Sequence, residues 1–434
     1  MPGSLKGARR GLKGKRNSKT GKRKAGRRIG RFAGTSEYAA LAILTMILLA
    51  VGVVMVFSAS WASSYLGESG DSYFYLKREL LFAAAGLVLM FVMARFDYTR
   101  LKKFAPALMV ASLGLLLVVF LPGVGVAAKG ARRWIGFGLL SFQPSELAKL
   151  AVILYVAALM QARPRLLTSV KKLALPVLGL PMLVCLLVLV EPDMGTAITI
   201  VVTIAGMLLI GGVLLRQLVM PALAAGLVAA GSIIVSPHQA ARVTAFLDPW
   251  KDAQGSGYQV IQSMVALGSG GLFGVGLGNS IQKYDWLPEN HTDMILSIIG
   301  EELGLIGVLA VIALYLAFAY FGFRVALKTR EPFGKFVAAG ITSLMVGQAA
   351  INFCAVMGMM PLTGVPLPII SYGGSSLIMV LASVGILLNI AINPRSRIAA
   401  QEQRKFRAIE GGNRGRRDGR SSGARAGARR RAHG

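Results

Sequence analysis

Five short stretches of this chain bring together residue types that do chemistry, and all five sit at or inside otherwise apolar sequence. Gly130-Ala131-Arg132-Arg133-Trp134-Ile135 offers two guanidinium groups, which grip phosphate oxygens bidentately, beside an aromatic of the kind that anchors at a membrane interface. Headgroup contact and a phosphate clamp are both consistent with it. Gln143-Pro144-Ser145-Glu146-Leu147-Ala148-Lys149 starts a helix on proline and sets Glu146 and Lys149 three residues apart, on one face. Ionisable groups within a membrane helix are expensive, so this pair either closes on itself or faces a cavity. Glu191-Pro192-Asp193-Met194-Gly195-Thr196 puts two carboxylates at a tight turn, where Asp193 also suits a helix cap.

The richest stretch runs from Arg242 to Gly304. Arg242 to Trp250 reads as an interfacial segment. Gly268 to Gly278 is glycine-rich, but no strand precedes it and no Lys-Ser/Thr ending follows, so it is no nucleotide loop. Lys283 to Asp293 then leads into a long apolar run carrying Glu301 and Glu302. Asp293 stands where a helix begins. It is either a cap or, facing an outer cavity, a general base for a hydroxyl nucleophile. Finally, Pro361 to Ser376 carries three prolines and three glycines at membrane depth, which forbids a continuous helix. Irregular backbone there must be buried in protein or line a cavity.

The elements that position these residues follow from composition. The chain has 434 residues, 54% hydrophobic and 15% charged, with a mean hydropathy of +0.61. Long uncharged runs indicate membrane helices, because hydrocarbon leaves no other way to satisfy the backbone. The pattern predicts an all-α polytopic membrane protein of ten spans: Tyr38–Ser58, Leu80–Ala94, Phe104–Leu121, Leu147–Met160, Leu173–Val190, Met194–Leu215, Leu218–Val235, Met294–Phe321, Phe336–Met360 and Ser376–Ile392. Lys and Arg concentrate in the loops around residues 95–103, 163–172, 216 and 324–335, which places those loops and both termini in the cytoplasm. Three connections then face outward: Pro122–Gln143, Pro361–Gly374, and a large loop over 236–292 between the seventh and eighth spans.

The net charge of +29 is uneven. Residues 1–36 hold 13 Lys or Arg and no acid, and residues 395–434 hold 13 more against Glu402, Glu410 and Asp418. These flanks of the membrane domain, 37–394, are expected to be disordered and drawn to anionic lipid. Nothing besides charge points to nucleic acid. Cys185 and Cys354 lie in apolar runs and form neither a disulfide framework nor a metal-ligand spacing. The first apolar run is long enough to span and stay, so no cleaved signal peptide is expected.

Taken together, Gln-Pro-Ser-Glu-Leu-x-Lys at Gln143–Lys149, Glu-Pro-Asp-Met-Gly-Thr at Glu191–Thr196, Leu-Pro-Glu-x-His-Thr-Asp at Leu287–Asp293, Gly-Glu-Glu-Leu-Gly at Gly300–Gly304 and Ile-Ser-Tyr-Gly-Gly-Ser-Ser at Ile370–Ser376 resemble the SEDS family (shape, elongation, division and sporulation) over residues 38–395. The run Gly276–Lys283 is similar to the division and sporulation branches, while Thr363–Pro366 resembles the elongation branch equally. Met294 departs from the phenylalanine of many relatives and leaves the adjacent Asp in place.

The resemblance implies a peptidoglycan glycosyltransferase of the division type. Such an enzyme polymerises lipid II at the outer face of the bacterial cytoplasmic membrane, during septal wall synthesis, and releases undecaprenyl diphosphate. It implies Asp293 as the catalytic base. Arg132, Arg133, Lys149 and Lys283 would neutralise diphosphate, with Glu146 positioning Lys149 and Asp193 supporting the cavity. Glu289, His291, Thr292, Ser371 and Tyr372 would line the substrate. A divalent cation, Mg or Mn, would fit between phosphate and carboxylate, though the sequence establishes none and implies no other cofactor. The expected partners are a class B penicillin-binding protein and other membrane proteins of the divisome. A lipid II flippase, a secondary transporter and a division scaffold are the competing readings.

Overall fold

The computed structural model describes residues 18–66, 70–122, 125–128, 131–137, 140–164, 179–216 and 237–392, with scattered positions between 218 and 233. Its elements in order are α1 (Ser18–Leu66), α2 (Phe74–Arg95), α3 (Tyr98–Val118), strands β1 (Gly125–Ala128), β2 (Ala131–Phe137) and β3 (Leu140–Phe142), then α4 (Pro144–Ala162), α5 (Gly179–Val190), α6 (Met194–Ile210), α7 (Pro237–Leu247), α8 (Tyr258–Ser269), α9 (Ile295–Lys328), α10 (Pro332–Val356) and α11 (Gly374–Ile392). Six helical segments among the described residues are long and apolar enough to cross a membrane: Ser36–Tyr65, α3, α4, α9, α10 and α11. The chain is thus a multi-pass helical membrane protein. Much of the span expected over Leu218–Val235, and the start of that over Leu173–Val190, lie outside the described residues.

Two features depart from the sequence expectation. α1 begins at Ser18, well inside the stretch read as an unstructured arm. Lys, Arg and Ala propagate a helix at little cost, and the apolar span beyond Ser36 supplies the nucleus that an isolated basic arm lacks. Residues 1–17 and the carboxy-terminal tail 395–434 lie outside the described residues. The second departure is an antiparallel sheet of order β1-β2-β3 in the connection between α3 and α4, pairing Val126 with Trp134 and Ile135 with Phe142. The large loop ahead of α9 is itself built of α7, a 3-10 turn at Pro249–Asp252 and α8.

α10 is the hub. It packs against α4, α6, α9 and α11. It is apolar on nearly all sides, as a helix surrounded by others must be. Gly340 lets α4 and α6 approach closely: a Cβ there would stand 2.7 Å from Ile153 and 2.9 Å from Met207. α10 also satisfies the irregular segment between itself and α11. Its Gln348 amide donates to the carbonyl of Pro366 at 2.9 Å, and its Asn352 amide donates to that of Val365 at 2.9 Å. From α9, the Tyr315 hydroxyl donates to the carbonyl of Pro368. Residues 361–373 are therefore unwound backbone held inside the bundle by side chains of neighbouring helices, the arrangement that lipid demands.

Candidate active site

Asp293 ends the large loop just before α9. The capping position of α9 falls one residue later, on Met294, which makes no side-chain cap bond. The backbone at Asp293 is pinned instead: its carbonyl accepts from the Asn352 amide of α10 at 2.7 Å. The preceding turn reverses at Glu289, held at a φ of +58°. There the Thr292 hydroxyl lies 2.8 Å from Oε2 of Glu289 and 3.1 Å from Oδ1 of Asp293. Asp293 is therefore a partly exposed carboxylate on an overdetermined turn.

Across from it stands Gly364, at a φ of +69°. A Cβ placed there would lie 3.7 Å from Oδ2 of Asp293 and 3.7 Å from both terminal nitrogens of Arg242. Carboxylate and guanidinium thus flank one glycine in the unwound segment. Arg242 comes from α7 and donates to the carbonyl of Leu362 at 3.3 Å. Burial pulls its guanidinium below its usual pKa, Asp293 and Asp193 oppose that pull, and Arg133 adds to it. Arg133, Asp193, Arg242 and Asp293 therefore share one electrostatic neighbourhood.

Arg133 reaches it from β2 and ties down the turn between α5 and α6. Its Nε donates to the carbonyl of Glu191 at 2.8 Å, and a terminal nitrogen donates to the carbonyl of Pro192. Two of its five donor hydrogens are so used. Asp193 caps α6, accepting from the Thr196 amide at 3.0 Å, the Thr196 hydroxyl at 2.8 Å and the Gln143 side chain at 3.3 Å. Glu191 is buried, and neither of its carboxylate oxygens has a hydrogen-bond partner among the described residues. Burial and the neighbouring Asp193 push its pKa up to about 8, against the pull of Arg133.

The other expected cations lie elsewhere. Lys149 is buried in α4, 2.9 Å from Glu146 and 3.0 Å from Oε1 of Gln348, the residue that also holds Pro366. Lys149 thus supports the unwound segment from below. Lys283 is fully buried, 3.2 Å from Oε1 of a fully buried Glu302. It also donates to the carbonyl of Gly278, with its ammonium 5.3 Å from the ring centre of Trp61. This pair ties the outer loop to α9, and Ser58 of α1 donates to the same carboxylate. The side chain of Arg132 lies outside the described residues. Ser371 accepts from the Leu367 amide at 2.8 Å and closes the turn within its own segment. His291 and Tyr372 are joined through backbone, the Tyr372 amide donating to the His291 carbonyl at 2.9 Å.

Sequence reading passed over Arg242, although an arginine on a face otherwise poor in basic residues was the signal already used for Arg132 and Arg133. Asn352 and Gln348 gave no signal, since polar amides in a span are legible only once their partners are known. Beside Arg242 lies a small open hollow walled by Met194, Ile198, Val243, Met360 and Leu362. An apolar trough with one cation at its edge suits an acyl or prenyl chain bearing an anionic head. Among the described residues no group of three or more His, Cys, Asp or Glu converges to hold a metal ion. The chemistry this arrangement offers is proton abstraction by a pinned carboxylate beside guanidinium groups that stabilise developing negative charge.

Comparison with known proteins places this geometry. The chain is 42% identical to the probable peptidoglycan glycosyltransferase FtsW of Geobacter sp. (strain M18), covering 81% of this chain and 96% of that one. It is 41% identical to stage V sporulation protein E of Bacillus subtilis (strain 168), covering 82% and 97%. Among solved structures it resembles a peptidoglycan synthase complex that coordinates polymerization and crosslinking, with 31% identity, a TM-score of 0.65 and coverage of 82% and 98%. It also resembles the rod shape determining protein RodA of Thermus thermophilus, with 29% identity, a TM-score of 0.57 and coverage of 81% and 95%. Residues 39–396 match the family model of the FtsW, RodA and SpoVE cell cycle proteins, and the chain belongs to that family.

Proposed function

We propose that this chain is a peptidoglycan glycosyltransferase that polymerises lipid II at the outer face of the cytoplasmic membrane, in septal wall synthesis. The observation that carries this reading is the meeting of Asp293 and Arg242 across Gly364. No nucleotide is at hand outside the cell, so the energy for polymerisation must already reside in the substrate, and a sugar on a lipid diphosphate holds it. Asp293 takes the proton of the acceptor 4-hydroxyl as its oxygen attacks the anomeric carbon of the donor sugar. The bond from that carbon to the diphosphate oxygen breaks, and undecaprenyl diphosphate leaves. Arg242, with the remaining donors of Arg133, neutralises the charge on the leaving group, and the trough beside Arg242 takes the first prenyl units.

Asp193, Glu146 and Lys149 hold the scaffold on which these groups sit, and Lys283 serves the same end at a distance. A division role rests on the 42% identity to a relative named for division. Both termini are cytoplasmic by the distribution of Lys and Arg. A class B penicillin-binding protein is the partner that would cross-link the emerging strand, alongside other membrane proteins of the divisome. The basic flanks engage anionic lipid.

The test is polymer formation from labelled lipid II by the full-length protein in nanodiscs, with and without that partner. Replacing a general base lowers the rate by about 10²–10⁴-fold, so Asp293→Asn is expected to lose polymer by that factor while retaining its fold. Polymer at the wild-type rate from a folded Asp293→Asn variant overturns the assignment of the base. Transbilayer movement of lipid II in vesicles, with no polymer from the wild type, assigns the chain to the flippases instead.

A further inference from the structure

Sugar transfer between two lipid-linked substrates needs two subsites about the base, and Arg242, Arg133 and the trough make up one. Two motif residues next to the base, His291 and Tyr372, join a cluster with α2 that no motif announced. The Tyr75 ring of α2 has its centre 4.3 Å from that of His291 and 5.1 Å from that of Tyr372, and His291 and Tyr372 are 5.6 Å apart. All three are only partly buried. The Tyr372 hydroxyl is hydrogen-bonded to Arg78, one turn along α2 from Tyr75. Arg78 also lies over the ring of Phe74, at 4.9 Å. Beneath them Glu79 is fully buried, and neither of its carboxylate oxygens has a hydrogen-bond donor among the described residues.

The ring angles are those of ordinary aromatic packing, but three rings left partly exposed above a buried acceptor that lacks a donor among the described residues are not a finished core. Together they suit a pyranose, whose C–H face lies against aromatic rings while its hydroxyl and amide groups reach flanking polar side chains. The backbone link from Tyr372 to His291 ties the cluster to the chain two residues before Asp293.

Resting on the function proposed above, we infer that Tyr75, His291, Tyr372 and Arg78 form the acceptor-saccharide subsite, which presents the 4-hydroxyl of the incoming disaccharide to Asp293. Diphosphate and prenyl binding then belong to the Arg242 side, and the two subsites recognise different chemical parts of the substrate.

The test separates them by binding alone, so it does not depend on catalysis. Full-length protein carrying Asp293→Asn, in nanodiscs, is titrated with two probes. One is the disaccharide-pentapeptide lacking phosphate and lipid, and the other is undecaprenyl diphosphate. Tyr75→Leu is expected to weaken the disaccharide-pentapeptide by about tenfold or more and to leave undecaprenyl diphosphate unchanged, which also shows that the variant is folded. Tyr75→Phe, which keeps the ring, is expected to restore binding. Arg242→Gln is expected to do the reverse of Tyr75→Leu. In otherwise wild-type protein, Tyr75→Leu is expected to raise KM for lipid II more than it lowers kcat. If Tyr75→Leu leaves the disaccharide probe unaffected, or weakens both probes alike, the subsite is not there. A base that fails its own test with these binding results intact sinks the mechanism and spares the subsite.

Discussion

Lys283→Met separates a structural lysine from a substrate-binding one. Both members of the Lys283–Glu302 pair are fully buried. Methionine fills nearly the same volume without the charge, so packing changes little and the carboxylate of Glu302 loses its counter-ion. What remains for it is the Ser58 hydroxyl, at 2.6–2.8 Å. Breaking a buried pair from one side costs about 3–5 kcal/mol, because the residual charge stays desolvated. Removing both charges together, as Lys283→Met with Glu302→Gln, should return most of that loss, since a neutral amide still accepts from Ser58. The coupling read from the double-mutant cycle should be at least as large as the stability recovered, on the order of 3 kcal/mol or more.

The assay is equilibrium unfolding in mixed micelles titrated with SDS, paired with polymer formation from lipid II under conditions where each variant is folded. The expected pattern is a large loss of stability in Lys283→Met, recovery in the double variant, and polymerisation that follows the folded fraction. A Lys283→Met protein with wild-type stability that makes no polymer would refute this reasoning, because the lysine would then be spending its charge on substrate.

Three further outcomes follow from the geometry. Gly364→Ala adds a Cβ beside Arg242 and Asp293 at a φ of +69°, where an L-residue costs about 1–2 kcal/mol; polymerisation should fall well before the fold does, as read from initial rates alongside thermal unfolding. Glu191 has its pKa raised from 4.5 to about 8, so the native state holds a proton that the unfolded chain releases, and stability declines as pH rises between those values and levels off above them. Glu191→Gln should remove that slope, gaining on the order of a few kcal/mol over the wild type by pH 8–9 and little below pH 4.5, as measured by unfolding across pH. Gly274→Ala drives a Cβ into the backbone carbonyl oxygen of Glu302 at a φ of +80°, and should displace the glycine-rich run from α9, where the amides of Val275 and Gly276 donate to the carbonyls of Glu301 and Glu302; this is detectable as faster hydrogen exchange at Val275 and Gly276.

How much of this was legible beforehand depends on whether a residue's fate is set locally. Apolar runs must become helices in lipid whatever surrounds them. The proline- and glycine-rich stretch 361–376 must break a helix for the same local reason, and Asp193 caps α6 through a neighbour three residues away. The membrane class and the break in the helix at 361–376 therefore came from sequence alone. The sheet at 125–142 did not, because its pairing depends on register between short strands. Nor did the start of α1 at Ser18, since that helix grows out of the span that follows it.

The cations show the division most plainly. In sequence Arg133, Lys149, Arg242 and Lys283 are alike: each is a positive charge in apolar surroundings that must find a partner or water. Lys149 meets Glu146 three residues away, as their spacing allows, but the remaining partners are non-local choices. Lys149 finds Gln348 across 199 residues, Arg133 finds the carbonyl of Glu191 across 58, and Arg242 finds that of Leu362 across 120. Only that folding decided which of them stand beside Asp293 and which are consumed in holding helices together. The sequence determined that these charges could not stay alone, because desolvation in a membrane protein is too costly. The tertiary structure determined which cation meets which acceptor, because pairing depends on distances that only the packed bundle fixes.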